Sequence, residues 1–395
     1  MNIKPASRIA QIKEYYFSTK LKEIARLRES GKDIINLGIG SPDLMPSYHA
    51  IDVLVNESKS SDNHKYQSYI GIPELRQAFA NWYQRFFEVE LDPKGEILPL
   101  IGSKEGIMHI SMTYLEAGDQ VLIPNPGYPA YRSAALLAGA EVLEYKLDAD
   151  RDWMPDLDAL EQQDLSRVKI MWINYPHMPT GTKASRSFFE RLIAFARKHH
   201  ILLCNDNPYS FILNDEPMSL LSVEGAMEVA LELNSLSKSH NMAGWRIGML
   251  AGDRERLATI LRFKSNMDSG MFRPMQLAAV SALNNPASWY KSLNEIYQRR
   301  RQKAFELLDL LGCRYQKDQC GLFVWAAVPS AYENGYQLSD EILYQHDVFL
   351  TPGGIFGSQG DAYVRVSLCN KQSTFEEVLQ RLRSESTQNK VAAGQ

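Results

Sequence analysis

The fold is decided by the stretch Val229-Ala-Leu-Glu-Leu-Asn-Ser-Leu-Ser-Lys238, which is followed eight residues later by Arg246-Ile-Gly248. The apolar run at 229–233 predicts a short buried strand, and a second apolar run at 247–251 predicts another. The polar residues between the two runs therefore lie in a connection that follows a strand. Short strands with such connections are typical of an α/β protein.

Other short apolar runs repeat this pattern upstream. We expect strands at 120–124, 141–145, 168–174 and 201–205. Helices lie between several of them, and the clearest, at 186–200, has one apolar face and a basic last turn that suits the helix dipole. The alternation predicts an α/β fold with a mostly parallel sheet sandwiched by helices.

Both ends of the chain have a different character. A helix is expected at 17–28, before the sheet begins. The elements expected after residue 285 are a long basic helix at 290–311 and short strands at 321–327 and 363–368. The last helix is predicted to begin with a capping box from Ser373 to Glu376, and the tail after Arg383 is predicted to be loose.

These patterns divide the chain into a large domain and a smaller α+β domain built from both termini. The predicted parts are 1–45 (N-terminal helix and the loop after it, part of the small domain), 46–285 (large domain) and 286–395 (rest of the small domain).

Charge and cysteine content exclude several classes of function. The 395 residues carry 47 acidic and 43 basic side chains, a formal charge of -4, which predicts no nucleic-acid or membrane partner. The four cysteines have no metal-binding spacing, so no metal site is expected. With no signal-peptide or membrane-spanning pattern, we expect a cytoplasmic protein. Any anion must therefore be bound by a local cluster of cations and amides.

Three short motifs are candidates for such a cluster. Gly102-Ser103-Lys104 opens a predicted helix, whose free amides and dipole attract a phosphate, although a plain serine cap is the alternative. Gly38-Ile-Gly40 lacks the third glycine of a dinucleotide fingerprint, so a dinucleotide site is disfavoured. The run Arg299-Arg300-Arg301 is interpreted as a solvated helix face.

Lys238 and Asp206 indicate the chemistry. The ordinary lysine pKa is near 10.4, but a desolvated lysine close to Arg246 can lose its proton and form a Schiff base. Asp206, at the carboxyl end of a predicted strand, suits a protonated ring nitrogen, with a turn aspartate as the alternative. Ser235 and Ser237 are well placed for a phosphate. Pyridoxal 5′-phosphate has the aldehyde, ring nitrogen and phosphate that these groups require.

Seven segments spread over about residues 16–368 resemble the class I/II pyridoxal-phosphate aminotransferases of the aspartate aminotransferase type, which have fold type I. The resemblance implies that Lys238 binds the cofactor aldehyde and carries the proton between substrate Cα and cofactor C4′. It makes Asp206 the partner of the ring nitrogen, Tyr209 the donor to the ring oxygen, and Tyr128 the stacking aromatic. The implied phosphate contacts are Gly102, Ser103, Lys104 (through its backbone), Ser235, Ser237 and Arg246.

The same resemblance implies substrate and dimer contacts. Arg365 would clamp the substrate α-carboxylate, and Gly40 would lie in the loop that closes over the substrate. Tyr16 is a possible substrate contact, with a packing role as the alternative. Tyr66 would reach across a homodimer interface to the neighbour's phosphate, so the active sites would be shared.

The substrate side chain is the least defined feature. Tyr15, Tyr16 and the segment 265–272 resemble the subgroup that contains aspartate, alanine and LL-diaminopimelate aminotransferases. Arg273 is a candidate for binding a second carboxylate, and a surface cation is the alternative.

One motif departs from the family. Where the family has Pro-x-Asn-Pro-Thr-Gly, this chain has Pro176-His-Met-Pro-Thr-Gly181, and the thioether of Met178 cannot donate a hydrogen bond to the ring oxygen. If nothing substitutes, the pKa of the Schiff base should rise by at most about one to two units. Asn174, Asn205 and His177 could compensate, and we expect Tyr209 to carry most of the interaction.

The resemblance implies that the chain exchanges the amino group of an L-amino acid with a 2-oxo acid by a ping-pong path. A different pyridoxal-phosphate reaction, such as β-elimination, decarboxylation or a synthase reaction, stays open because sequence does not show which Cα bond is perpendicular to the cofactor plane. A non-catalytic sensor is disfavoured, since Lys238, Asp206 and Arg365 are all present.

Overall fold

A computed structural model describes residues 3–12 and 16–392 of the chain. The strands are β1 (Ile35–Asn36), β2 (Ile97–Leu100), β3 (Gln120–Asn125), β4 (Glu141–Lys146), β5 (Val168–Ile173), β6 (Leu202–Asp206), β7 (Ala230–Ser235), β8 (Gly248–Gly252), β9 (Arg314–Tyr315), β10 (Phe323–Ala327), β11 (Val348–Phe349), β12 (Thr351–Pro352) and β13 (Tyr363–Ser367). The helices are α1 (Ser7–Ala10), α2 (Tyr16–Glu29), α3 (Tyr48–Glu57), α4 (Pro73–Phe87), α5 (Ser103–Tyr114), α6 (Pro129–Ala138), α7 (Leu157–Leu160), α8 (Arg186–His199), α9 (Ala226–Val229), α10 (Leu236–Ser239), α11 (Arg254–Lys264), α12 (Arg273–Leu283), α13 (Ala287–Leu310), α14 (Gly335–His346) and α15 (Gln372–Ala392).

A seven-stranded sheet forms the centre of the molecule, in the order β2-β8-β7-β6-β5-β3-β4. Only β8 runs against its neighbours, so the predicted mostly parallel α/β sheet is confirmed. The sequence patterns missed β2, whose Pro99 is unfavourable inside a sheet. β2 lies at the sheet edge, where a proline is tolerated because one side of the strand has no partner.

Both faces of this sheet are covered by helices, because successive residues of a strand point to opposite sides. Leu122 of β3 packs in one apolar cluster with Phe189 of α8. Its neighbours Val121 and Ile123 pack in a second cluster, with Ile107 of α5. The near-continuous apolar strands seen in the sequence are therefore buried on both faces.

The two ends of the chain meet in smaller sheets. β1 pairs in parallel with β11, and Ile24 of α2 packs with Leu343 and Phe349. The strands β12-β13-β10-β9 form a four-stranded antiparallel sheet beside this pair. This is the α+β arrangement expected of the termini, while the boundaries at 45/46 and 285/286 stay predictions.

Three predictions about the C-terminal part are wrong. Arg300 is 4% exposed, so the run 299–301 is not a uniformly solvated face. The helix α15 begins at Gln372, whose Nε2 donates to Glu376 (2.8 Å), in place of the capping box predicted from Ser373. The predicted loose tail after Arg383 is helical to Ala392.

The four cysteines, Cys204, Cys313, Cys320 and Cys369, are buried free thiols. No helix in the part of the chain that the structure describes is long and apolar enough to cross a membrane, and the cytoplasmic location stays a prediction. Tyr15 lies outside the described residues.

Candidate active site

The carboxyl ends of the parallel strands open into a cavity of about 400 Å³. This edge is where open α/β sheets bind ligands, because the connections after the strands carry polar side chains to one place. Most residues predicted for the site line this one cavity: Gly40, Ser103, Lys104, Tyr128, Asp206, Tyr209, Ser235, Ser237, Lys238, Arg246 and Arg365.

Lys238 lies on the short helix α10, directly after β7, and its amine points into the cavity. Its Nζ donates a hydrogen bond to the Gly40 carbonyl oxygen at 2.6 Å. Burial lowers the pKa of Lys238, and the positive charges of Arg365 and Arg246 lower it further, whereas Cys369 and Asp206 raise it. The lysine is therefore closer to its nucleophilic neutral form than an exposed lysine would be.

Asp206 is the last residue of β6 and is 5% exposed. Burial raises its pKa to about 6, while the hydrogen bond from Tyr131 and the charge of Lys238 act in the opposite direction. The Tyr131 hydroxyl donates to Oδ2 at 3.0 Å, and Oδ1 has no hydrogen-bond partner among the described residues. A buried carboxylate oxygen of this kind suits a cationic N–H group in the cavity.

The phosphate-type ligands form a cradle at the other end of the cavity. Ser103 begins α5 after Gly102, which has φ +78° and caps the helix. A Cβ at Gly102 would lie 2.0 Å from Nη2 of Arg246, so only glycine lets the guanidinium sit over this helix end. Ser235 donates to the Ser237 hydroxyl (2.9 Å), and Arg246 donates to the same hydroxyl (3.3 Å).

Arg365 is buried on β13 at the opposite side of the cavity. Its Nη2 donates to the Gly38 carbonyl (2.9 Å), and its Nη1 contacts the Met178 sulfur (3.3 Å). The guanidinium carbon lies 3.7 Å from the ring centre of Phe323 and 4.6 Å from that of Phe356. A guanidinium held between rings keeps a fixed orientation, which suits two-point binding of a carboxylate.

The groups proposed to replace the missing family asparagine are mostly committed elsewhere. Asn205 donates to Glu232 and accepts from the Tyr175 amide, and His177 contacts Thr180. Burial lowers the pKa of His177 to about 3, so its ring is neutral. Neither residue lines the cavity.

Asn174 does line the cavity, beside Met178. Its amide donates to the Asp206 carbonyl, and its oxygen accepts from the Met178 backbone N–H (2.8 Å). Asn174 and Tyr209 both line the cavity with Met178. That Tyr209 carries most of the interaction with the ring oxygen stays a prediction.

Three residues that were considered as cofactor or substrate contacts do not line the cavity of this chain. Tyr66 is 92% exposed. Tyr16 packs edge-on against Tyr336 and Phe17, and it does not line the cavity. Arg273 donates to Glu74 on the surface, as its alternative interpretation expected.

The sequence patterns missed Tyr131, Phe17 and Phe323, all of which line the cavity. Tyr131 carried a usable signal, because it follows Tyr128 by three residues in a helix that opens with Pro129, and residues at this spacing share a face. The other two reach the cavity through long-range packing and carried no local signal.

Comparison with known proteins agrees with this site. The family model described as aminotransferase class I and II matches residues 32–382. The LL-diaminopimelate aminotransferase of Dehalococcoides mccartyi is 41% identical over 382 residues, which cover 96% of this chain and 98% of the relative. The substrate-bound BacF structure from Bacillus subtilis has a TM-score of 0.93 at 34% identity, covering 97% of this chain and 98% of BacF. A probable N-succinyldiaminopimelate aminotransferase from Thermus thermophilus has a TM-score of 0.87 at 31% identity, covering 93% and 99%.

The sheet, the lysine after β7 and the carboxylate at the end of β6 define a transferase of the pyridoxal-phosphate fold type I. More specifically, the chain belongs to the aminotransferase class I and II family. Members of this family transfer amino groups with pyridoxal 5′-phosphate.

Proposed function

We propose that this chain exchanges the amino group of an L-amino acid with a 2-oxo acid, with Lys238 as the reacting lysine. The observation that carries the proposal is the meeting of Lys238, Asp206 and Arg365 in one cavity. A lysine of lowered pKa suits an aldehyde, a buried carboxylate suits a protonated ring nitrogen, and a guanidinium suits a carboxylate.

The residues around the cavity fit pyridoxal 5′-phosphate. A protonated ring nitrogen would give Asp206 Oδ1 the partner that the described residues do not supply. Tyr209 would donate to the ring oxygen, and Tyr128 would cover one ring face. The residues that would hold the phosphate are Gly102, Ser103, Lys104, Ser235, Ser237 and Arg246. When bound, the cofactor supplies the aldehyde and a ring that withdraws electrons from the substrate α-carbon.

The side chains of this protein would then act on the substrate. Arg365 binds the α-carboxylate, which orients the α-carbon relative to Lys238. The neutral Nζ of Lys238 would take the proton from that carbon and, as a general acid, deliver it to C4′, the cofactor carbon that carried the aldehyde. Asp206, with a pKa of about 6, is ionised at neutral pH and keeps the proton on the ring nitrogen. Gly40 and its loop cover the reacting lysine and limit the access of water.

We infer that the amino acid of at least one half-reaction has an apolar side chain. The charged residues lining the cavity are Lys104, Asp206, Lys238, Arg246 and Arg365. In this proposal, each of them is assigned to the cofactor or to the substrate α-carboxylate. The rest of the substrate side is formed by Phe17, Leu21, Ile39, Met178, Phe323 and Phe356. No further cation among the described residues of this cavity would pair with a second carboxylate. This differs from what the name of the LL-diaminopimelate relatives suggests.

A half-reaction screen tests both statements. Purified holoenzyme is mixed with excess L-phenylalanine, L-leucine, L-aspartate or LL-diaminopimelate, and the cofactor absorbance is followed. We expect the apolar amino acids to react roughly tenfold faster or more, which is the scale of discrimination by an apolar pocket. Faster reaction with LL-diaminopimelate would contradict the side-chain inference alone. No absorbance change with any of these amino acids would contradict the proposed transfer itself.

A second candidate is a different pyridoxal-phosphate reaction on an amino acid, which the Met178 replacement favours. The same holoenzyme separates the two candidates. Amino-group transfer releases one equivalent of 2-oxo acid per site and then stops until a second 2-oxo acid is added. Continuous product release without a second substrate would favour elimination or decarboxylation.

We also propose a homodimer with shared active sites, as the resemblance implied. The side chain of Tyr66 is 92% exposed. The segment around Gly270 packs directly against the residue after Tyr66, because a Cβ built at Gly270 would lie 2.5 Å from the Gln67 carbonyl oxygen. Met267 and Phe272 beside this contact are 60% and 40% exposed. An exposed group of large apolar side chains supports an interface there.

A further inference from the structure

The basic run 299–301 of α13 divides into three different environments. Arg299 is exposed, and Arg301 is partly buried and donates to the Gln319 carbonyl (2.7 Å). Arg300 is 4% exposed, and burying a guanidinium this deeply is costly unless its charge is paired. The central arginine therefore needs a negatively charged partner close by.

That partner is Asp43. Nη1 of Arg300 donates to Oδ1 at 2.6 Å, and Nη2 donates to Oδ2 at 2.8 Å. Two parallel N–H bonds to one carboxylate are the strongest and most directional form of this ion pair. Nη1 also donates to the Leu368 carbonyl (3.0 Å), just after β13, so Arg300 joins three separate segments of the chain.

Asp43 ends the loop that touches the reacting groups. Three residues earlier, the Gly40 carbonyl accepts from Lys238 Nζ (2.6 Å). Two residues before that, the Gly38 carbonyl accepts from Arg365 (2.9 Å). The loop of residues 38–43 thus contacts both the lysine and the carboxylate-binding arginine.

The packing of this loop leaves little freedom. A Cβ at Gly40 would lie 2.2 Å from the ring of Phe323, the ring that stacks on Arg365. The hydroxyl groups of Thr351 and Ser367 donate to the carbonyls of Gly38 and Ile39. These contacts hold the first half of the loop, and the Asp43–Arg300 ion pair holds its far end.

We propose that Arg300, acting through Asp43, is a positioning residue that fixes the loop of residues 38–43 against Lys238 and Arg365 and thereby sets the affinity for the substrate carboxylate. The proposal deepens the proposed function and rests on it. Without the ion pair, the loop keeps its hydrogen bonds from Thr351 and Ser367 but is no longer held at Asp43. The Gly38 and Gly40 carbonyls then no longer have fixed positions beside the carboxylate and amine sites.

Binding of a simple carboxylate to the holoenzyme tests the proposal. The variant Asp43→Asn keeps the size of the side chain and removes its charge, and 3-phenylpropionate is titrated by its effect on the cofactor absorbance. We expect the Kd of 3-phenylpropionate to rise roughly tenfold, the lower end of what one charged hydrogen bond supplies. The affinity for pyridoxal phosphate should change less than twofold, because none of the hydrogen bonds of the described residues 38–43 goes to Ser103, Ser235, Ser237 or Arg246.

Two further variants complete the design. Arg300→Lys keeps the charge but cannot form two parallel bonds, so its Kd for 3-phenylpropionate should lie between those of wild type and Asp43→Asn. This variant replaces Asp43→Asn if Asp43→Asn does not fold. Arg299→Gln, on the exposed neighbour, should bind the carboxylate as wild type does.

The outcomes separate the possible roles. An unchanged carboxylate Kd in both Asp43→Asn and Arg300→Lys would overturn the proposal. A parallel loss of cofactor affinity and thermal stability would also overturn it, since it would show a general structural role. If wild type itself bound no pyridoxal phosphate, the proposed function would fail instead.

Discussion

The residues of the site are defined by charges that the fold buries without fully pairing them. Asp206 is 5% exposed, and one of its oxygens has no partner among the described residues. Lys238 is held at lowered pKa by burial and by two arginines. Such groups lower the stability of the protein, and a ligand of complementary charge can recover that free energy on binding. Their presence at one sheet edge is therefore an argument for function.

The raised pKa of Asp206 gives a stability prediction for the cofactor-free protein. The pKa is about 6 when folded and 3.8 in the reference state, so the folded state binds more protons in this window and stability falls as pH rises through it. Asp206→Asn should therefore raise the free energy of unfolding by up to about 3 kcal/mol at pH 8, and by about half of that at pH 5. Urea unfolding at the two pH values measures this gain.

The matched control for this effect is Tyr131→Phe. It removes the hydrogen bond that lowers the pKa of Asp206, so it should make the cofactor-free protein less stable at pH 8. An Asp206→Asn protein that is less stable than wild type at pH 8 would show that the carboxylate is not strained by burial.

Met178 gives a second prediction at this scale. Met178→Asn restores a hydrogen-bond donor beside the ring oxygen, so the pKa seen in the visible absorbance of the holoenzyme should fall by about one to two units at most. Met178→Leu, which adds no donor, should leave that pKa within a few tenths. A spectrophotometric pH titration measures both. An equal pKa in all three proteins would mean that Asn174 or Tyr209 already satisfies the oxygen.

Local chemistry was the part of the site that sequence could reveal. Asp206 at the end of a predicted strand and Lys238 shortly after another stand out by their chemistry, whereas Arg365 was identified through the family resemblance. Arg300 was misinterpreted, because its partner Asp43 is 257 positions away and no local pattern connects them. Tyr131 was missed for a related reason, since its bond to Asp206 spans 75 positions.

At the scale of elements, the cofactor cradle depends on the start of one helix. The chain leaves β2, turns at Gly102 with φ +78°, and begins α5 at Ser103, so the first amides of α5 point into the cavity. A Cβ at Gly102 would displace the guanidinium of Arg246 from this turn. The proposed phosphate site therefore depends on a glycine at this one position.

Gly102→Ala should weaken binding of pyridoxal phosphate by about tenfold or more, because the methyl group displaces Arg246 and the backbone conformation of Gly102 (φ 78°, ψ 151°) would strain an alanine by roughly 1–3 kcal/mol. Gly244→Ala is the control, since a Cβ there meets no atom within 4 Å. Equilibrium dialysis of both variants measures the Kd. Similar affinities in the two proteins would contradict the role of this turn.

The element pattern was predicted best where packing is simplest. The strands buried on both faces read as apolar runs and were placed within one or two residues. The edge strand β2 was missed because Pro99 is unfavourable in any strand with two partners. The start of α15 was misplaced by about one to two residues, which is the range over which helix ends commonly vary.

The whole molecule joins a rigid cofactor sheet to a smaller part made from both termini. The loop of residues 38–43 lies between these two parts. It follows β1, which pairs with β11, and its Gly40 carbonyl accepts a hydrogen bond from Lys238. Tyr66, by contrast, is exposed and lies outside its own cavity. A second copy of the chain is the partner that the family resemblance implies for it.

A mixed dimer tests that arrangement. One subunit carries Lys238→Ala and the other Tyr66→Phe, so a shared site would leave one position with both an intact lysine and an intact tyrosine. We expect that site to bind pyridoxal phosphate as tightly as wild type, whereas the Tyr66→Phe homodimer binds more weakly. If the mixed dimer binds no better than the Tyr66→Phe homodimer, Tyr66 does not act across an interface.

The most direct test of the central claim is to locate the bond between the protein and its cofactor. Holoenzyme is reduced with borohydride, digested, and examined by mass spectrometry for the peptide that carries the phosphopyridoxyl group. The label is expected on Lys238, and the Lys238→Ala protein should show neither the label nor the visible absorbance of the bound cofactor. A label on Lys104, the other lysine that lines the cavity, or unchanged absorbance in Lys238→Ala, would contradict the account.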